Sequence, residues 1–413
     1  SNGLNSIVDG RARYVGESDS FDGRRRPKFL PKPVGSSQTQ PVSCDRPSAM
    51  PAIGRFLLVP ALLFRNPKKN AGWSLLGGDR CLDTRHDRKL REGRFRVVTT
   101  NVLATGSSGF LGRHCMEALV RNGFRVHAVT RSPHADAADG VTWHNLDLHV
   151  PGAADALIGQ LRPSHLLHLA WVTTPGRYHH AAENLDWLQA SLALVKTFGA
   201  HGGQRFVGVG SSAEYDVETG PCIEDATPIR PASLYGQCKA AVWMIIQAYA
   251  QRYGFSAAWA RVFLPYGPGD EPRRLIPSLL AALSAGKPIS VSDGSQVRDF
   301  VYAPDVADLL VSLLATSDAN GAYNVGTGRG VAVRQVIQRV ADHFNARELV
   351  HFGAQARRAD EPAALVADMT KVERTLGWHA RTSIESGLEQ MLRNTGASSP
   401  ALNSWRGGVG SCA

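Results

Sequence analysis

The sequence predicts an α/β fold: a doubly wound parallel sheet with a smaller α/β region C-terminal to it. Three observations carry that reading. Short apolar runs alternate with stretches of helical spacing between Asn101 and Val262, as parallel strands joined by crossover helices require. A glycine-rich loop separates the first run from the first helical stretch. Beyond Phe263 the chain grows richer in proline, glycine and charge, which marks a second region.

In chain order, Asn101–Thr105 reads as a strand, 111–121 as a helix and Arg125–Thr130 as a second strand. A helix over Ala153–Leu161 leads to a strand at 166–170. Leu185, Leu188, Leu192 and Val195 give 185–200 helical spacing, and a strand follows at 205–210. A long helix at 235–253 and a strand at Ser256–Val262 complete this half. Helices at 276–285, Ala303–Ala315 and 333–344 populate the second region. The implied organisation is a nucleotide-binding domain at 98–262, a region at 263–394 that is mainly a second, substrate-binding domain with some return to the first, and a tail at 395–413.

Residues 1–97 stand apart. They are rich in Arg, Pro, Gly and Ser, with no sustained period of two or of 3.6, and read as a basic extension without a core. A native start near Val98 is expected. The net charge is +10, but 1–97 hold 19 Lys/Arg against 9 Asp/Glu while 98–413 hold 27 of each. The neutral body offers no broad patch for a phosphate backbone, so no nucleic-acid partner is expected; a basic nucleic-acid arm at 1–97 is the competing reading. The apolar stretch at 56–64 is interrupted by Pro60 and too short to span a bilayer. None of the six cysteines forms a CxxC pair or stands near a histidine at zinc-ligand spacing, so neither a metal nor a disulfide framework is expected. A cytoplasmic protein with no membrane partner is the expectation.

The glycine loop is Thr105-Gly106-Ser107-Ser108-Gly109-Phe110-Leu111-Gly112. Gly106 suits a tight turn, Gly109 lets a pyrophosphate approach the backbone, and Gly112 permits close helix–strand packing. The helix that follows offers free N–H groups and the positive end of its dipole to phosphates. Strand, loop and helix occur in the order a Rossmann dinucleotide site demands. At the end of the second strand an acidic residue would favour NAD; Arg131 stands there instead and can pair with a 2′-phosphate, which points to NADP, although a solvated loop arginine reads the same way. Asp147 can reach an adenine or cap a turn.

Tyr235 and Lys239 form a Tyr-x-x-x-Lys pair, whose spacing places both side chains on one helical face. An adjacent ammonium favours the phenolate and makes the tyrosine a usable acid and base. Upstream, a strand ends in Gly210-Ser211-Ser212-Ala213-Glu214-Tyr215. A hydroxyl there can hydrogen-bond a substrate carbonyl oxygen; Ser211 is the first choice, Ser212 the second.

These pieces, with His168-Leu169-Ala170, Arg261–Asp270 (RVFLPYGPGD), Arg298–Asp305 (RDFVYAPD) and Tyr323–Gly328 (YNVGTG), occur in the order that characterises the extended short-chain dehydrogenase/reductases, which this chain resembles from about Val98 to Gly328. The resemblance implies a catalytic triad of Ser211, Tyr235 and Lys239. It implies cofactor contacts from Gly106, Ser108, Gly109, Phe110, Leu111, Gly112, Arg131, Asp147, Leu148, Leu169 and Ala170, besides Tyr235 and Lys239. It also implies hydride transfer at a carbon of a nucleotide-activated sugar. Dehydratases of this kind carry Asp-Glu after the triad hydroxyl, whereas Ser212-Ala213 follow Ser211 here, with Glu214 one position late. Leu264 stands where the family's usual diphosphate-binding Asn would be.

The expected substrate contacts are Trp171, Thr173, Ser212, Arg273 and Arg298. Trp171 either stacks on a pyranose or packs beneath its loop, and Arg273-Arg274 are either phosphate clamps or solvated. His168 reads as a buried structural residue. The leading expectation is an NADP-dependent reductase of a nucleotide-linked 4-keto-6-deoxyhexose. A 4-epimerase that retains NAD is the alternative within the class, and a non-catalytic dinucleotide-binding regulator is the alternative outside it. The helices at 185–200 and 235–253 carry apolar residues beyond one stripe (Trp187, Trp243, Met244), which fits a homodimer and equally an ordinary core.

Overall fold

The computed structural model describes residues 100–131, 140–216, 220–357 and 361–393. The basic 1–97 extension and the 395–413 tail lie outside the described residues. The first half contains β1 (Asn101–Thr105), α1 (Phe110–Arg121), β2 (Arg125–Thr130), β3 (Val141–Asn145), α2 (Ala153–Leu161), β4 (His165–His168), α3 (Glu183–Ala200), β5 (Arg205–Ser211), α4 (Leu234–Tyr253) and β6 (Ser256–Val262). The second contains β7 (Leu264–Tyr266), α5 (Leu275–Ser284), β8 (Ile289–Ser290), β9 (Val297–Arg298), β10 (Phe300–Tyr302), α6 (Ala303–Ala315), β11 (Gly321–Val325), β12 (Val331–Ala332), α7 (Val333–His343), β13 (Val350–His351), β14 (Ala364–Leu365), α8 (Thr370–Leu376) and α9 (Ile384–Arg393).

Seven strands form one sheet in the order β11-β6-β5-β4-β1-β2-β3, and every pairing is parallel. The period of two along each strand sorts the side chains onto two faces. Val102, Ala104 and Leu167 pack with α1 and α6 on one face, while Leu103, Leu166 and Phe206 pack with α2, α3 and α4 on the other. Both faces are covered, which is why the inner strands read as continuous apolar runs. The chain order reverses between β1 and β4, and the carboxyl ends of those strands open a crevice there.

Two strands of this sheet escaped the sequence reading. β3 reads VTWHN, is only half-buried along its length and closes the sheet edge, so it has no apolar run to announce it. β11, in the region assigned mainly to the second domain, was not read as a strand; it pairs with β6, and α6 before it packs on α1. A third apolar core joins α5, α7 and α9 around Tyr266, Phe300 and Tyr302. Among the described residues no helix is long and apolar enough to cross a membrane.

Candidate active site

The glycine loop turns at Gly106, whose φ is +69°. A Cβ at Gly106 would stand 2.7 Å from the Ala170 backbone nitrogen, and one at Gly112 would stand 2.1 Å from the Gly106 carbonyl oxygen. Only hydrogen fits at either position, so β1, the loop and the start of α1 lie closer together than side chains allow. Gly109, the residue before α1, makes no side-chain cap, and no acidic residue occupies the first turn. The leading N–H groups and the helix dipole are therefore free to receive an anion, and the cradle fits a dinucleotide pyrophosphate. Ser108 hydrogen-bonds Thr130 at 3.1 Å and ties the loop to the end of β2.

One cleft of about 790 Å³ runs from this loop across the carboxyl ends of the strands into the C-terminal lobe. It is lined by Gly106, Ser108, Gly109, Phe110, Leu111, Gly112, Arg131, Leu148, Leu169, Ala170, Trp171, Thr173, Ser211, Ser212, Tyr235, Lys239 and Arg298, which the sequence had scattered over nearly the whole domain. Two expected residues lie elsewhere. Asp147 turns back on its own loop: its carboxylate accepts the His149 backbone N–H at 3.0 Å and bonds the His149 ring at 2.8 Å. These bonds hold its carboxyl below the usual range, and its neighbours Leu146 and Leu148 line the cleft in its place. Arg273 is exposed and pairs with Glu271 at 2.8 Å, whereas Arg274 lines the cleft and pairs with Asp270 at 3.5 Å.

Ser233 caps α4 by accepting the Gly236 N–H at 3.2 Å, which starts the helix one residue before Tyr235. Gly236 lets that first turn abut the chain after β5, since a Cβ there would stand 2.3 Å from the Ala213 carbonyl oxygen. Tyr235 and Ser211 are thereby brought together at the wall of the cleft. Burial raises the Tyr235 phenol well above its ordinary value, and the nearby Ser211 hydroxyl only partly offsets this. Lys239 donates to the Val209 carbonyl oxygen at 2.6 Å. Burial pushes its ammonium down to about 7, against the attraction of Glu214.

Beneath the triad, Glu214 is wholly buried. It accepts the Ser211 backbone N–H at 2.8 Å, Trp259 Nε1 at 2.9 Å and Arg261 Nε at 2.8 Å. Pinned in this way it is a structural carboxylate, as its late position suggested. His168 is buried between the Thr105 hydroxyl at 2.7 Å and the Ser191 hydroxyl at 2.8 Å. Desolvation drives it down to about 3, so it is neutral and joins β1, β4 and α3 rather than exchanging protons.

Several cleft residues were missed by the sequence reading. Asp270 lies at the end of the RVFLPYGPGD segment but has no recognisable partner in sequence; burial pushes its carboxyl up to about 6, with Arg274 opposing. Tyr178 packs edge-on against Tyr235 with centroids 4.9 Å apart. Glu361 bonds Arg298 at 2.6 Å. Its approach depends on β14 pairing with β9, and no local pattern announces that pairing.

Residues 102–326 match the model of the NAD dependent epimerase/dehydratase family. The chain is 26% identical to a UDP-glucose 4-epimerase of Bacillus subtilis, over 71% of this chain and 95% of that protein. It is also 26% identical, over 71% of its length, to an Arabidopsis thaliana trifunctional UDP-glucose 4,6-dehydratase/UDP-4-keto-6-deoxy-D-glucose 3,5-epimerase/UDP-4-keto-L-rhamnose-reductase, of which it spans about half, 46%. Among solved structures, MoeE5 in complex with UDP-glucuronic acid and NAD superposes with a TM-score of 0.64 at 30% identity, over 71% of this chain and 98% of that one.

Proposed function

The chain belongs to the NAD dependent epimerase/dehydratase family, and on that premise we propose that it is an NADP-dependent reductase of a nucleotide-linked 4-keto-6-deoxyhexose. The observation that carries this reading is the convergence of Ser211, Tyr235 and Lys239 on one wall of the cleft that also contains the glycine loop.

The residues from Gly106 to Gly112 hold the dinucleotide pyrophosphate, and Leu169 and Ala170 wall the passage toward the triad. The nicotinamide supplies a hydride to the carbonyl carbon when bound. Tyr235, protonated at neutral pH because it is buried, gives its proton to the ketone oxygen. Ser211 donates a hydrogen bond to the same oxygen and polarises it. Lys239 stabilises the phenolate that Tyr235 leaves behind.

Arg131 follows the last residue of β2 and faces the cleft where a 2′-phosphate would lie, which supports NADP over NAD. MoeE5 binds NAD, so NADH is the comparison to make. The absence of acids at Ser212 and Ala213, with Glu214 pinned by Arg261, argues against dehydration. A 4-epimerase is the second reading; it is favoured by the match along 95% of the Bacillus subtilis UDP-glucose 4-epimerase. Trp187 and Trp243 are buried and belong to the core, so only Met244 of the expected trio, with exposed Leu185 and Ile245 on α3 and α4, supports a homodimer.

The deciding assay follows nicotinamide absorbance when a dTDP-4-keto-6-deoxyhexose is added to protein with NADPH, and separately with NADH. Consumption of NADPH that Tyr235→Phe abolishes is the expected result. A change of C4 configuration without cofactor consumption transfers the assignment to the epimerase, and failure to bind either cofactor overturns both.

A further inference from the structure

We propose that Trp171 is a positioning residue for Lys239: its indole face holds the ammonium beside Tyr235, and that face is not a stacking surface for a sugar. The proposal rests on Lys239 acting in the triad. The Lys239 ammonium sits 4.0 Å from the centroid of the Trp171 ring, closer than to Trp259 at 5.7 Å or Tyr235 at 6.0 Å. An ammonium over an indole is attracted by the negative face of the ring, and tryptophan is the strongest of the aromatic residues in this role.

The ring is itself fixed. Trp171 Nε1 donates to Asn184 Oδ1 at 2.9 Å. Asn184, wholly buried, donates in turn to the Tyr178 and Ala181 carbonyl oxygens at 2.7 and 2.8 Å. Trp187 stacks on Trp171 with centroids 6.4 Å apart and planes inclined by 29°. The loop after β4 and the start of α3 thus carry a tethered aromatic plate to the triad. The face that Lys239 covers is not open to a pyranose.

The other polar contacts of Lys239 are few. Its ammonium bonds the Val209 carbonyl oxygen, and the titratable groups that face it are Tyr235 on its own helix, Glu214 after β5 and neutral His168 on β4. Desolvation at this site favours the neutral amine, and the indole face opposes it by stabilising the charged form. The plate therefore favours the charged form of the lysine and holds it in place.

The test compares Trp171→Leu with Trp171→Phe. Leucine retains an apolar cover but has no π face; phenylalanine retains a face and loses the tether to Asn184. Lysine ¹³Cε resonances, with that of Lys239 assigned by Lys239→Arg, are titrated in the cofactor-free proteins, whose folding is checked by thermal unfolding. Trp171→Leu is expected to lower the Lys239 midpoint by about half to one pH unit, and Trp171→Phe by less. NADPH affinity, measured by titration at pH 7, is expected to fall by about 3- to 10-fold in Trp171→Leu. A Lys239 midpoint unchanged in Trp171→Leu, or equally lowered in both variants, overturns the proposal. A wild-type protein that shows the expected midpoints yet binds no NADPH overturns the proposed function and leaves the Trp171–Lys239 contact standing.

Discussion

Replacing Glu214 by alanine tests the reading of the buried network under the triad. Glu214 is wholly buried, and its Arg261 partner is 4% exposed. The substitution leaves that guanidinium with the Tyr215 hydroxyl at 3.1 Å and the Glu224 carbonyl oxygen at 3.4 Å as its neutral acceptors. It also strands Trp259 Nε1 and the Ser211 N–H. Removing one partner of a buried ion pair costs about 3–5 kcal/mol, because the surviving charge stays desolvated. For a domain of this size each kcal/mol lowers Tm by roughly 2–4 °C, so a fall on the order of 10 °C is expected. Glu214→Gln, which keeps an oxygen for Trp259 and Ser211, should lose about 1–3 kcal/mol. Removing both charges, as in Glu214→Ala with Arg261→Met, should recover much of the alanine loss. Urea and thermal unfolding supply the measurement. A Glu214→Ala protein within about 1 kcal/mol of wild type would refute the claim that this pair anchors Ser211.

Further outcomes follow from the same geometry. Tyr235→Phe should lower kcat by roughly 10²- to 10⁴-fold while NADPH binding persists, since only the proton is lost. Gly112→Ala should abolish cofactor binding, measured by calorimetry, because its Cβ would meet the Gly106 carbonyl oxygen at 2.1 Å. Arg131→Ala should weaken NADPH about tenfold and leave NADH unchanged, and equal loss for both cofactors would remove the 2′-phosphate assignment. Burial lowers Lys239 from its ordinary 10.5 to about 7. The folded state therefore resists the proton that the unfolded state takes up: the destabilisation is complete below about pH 7 and fades as pH rises toward the unfolded value. Stability of wild type relative to Lys239→Met should accordingly rise between pH 7 and 10, and a flat difference in urea midpoints would contradict the burial of a titrating amine.

The sequence by itself determined the alternation of β1, β2, β4, β5 and β6 with their helices, the glycine loop and the Tyr235–Lys239 spacing. Each of these is written in local periodicity or in backbone freedom that only glycine has. It also pointed to Ser211 as a candidate, because the hydroxyl ends a recognisable strand. Tertiary structure decided what lies far apart in the chain. β11 joins the sheet through β6, Glu361 reaches Arg298 through β14, and Arg274 rather than Arg273 faces the cleft because its neighbour turns toward Glu271. Trp171 illustrates the division: its place after a strand end marked it as facing the cleft, but only the approach of α4 set Lys239 upon its ring. Periodicity reports which way a side chain points within its own element, whereas the partner it meets depends on packing between elements and on the burial that follows.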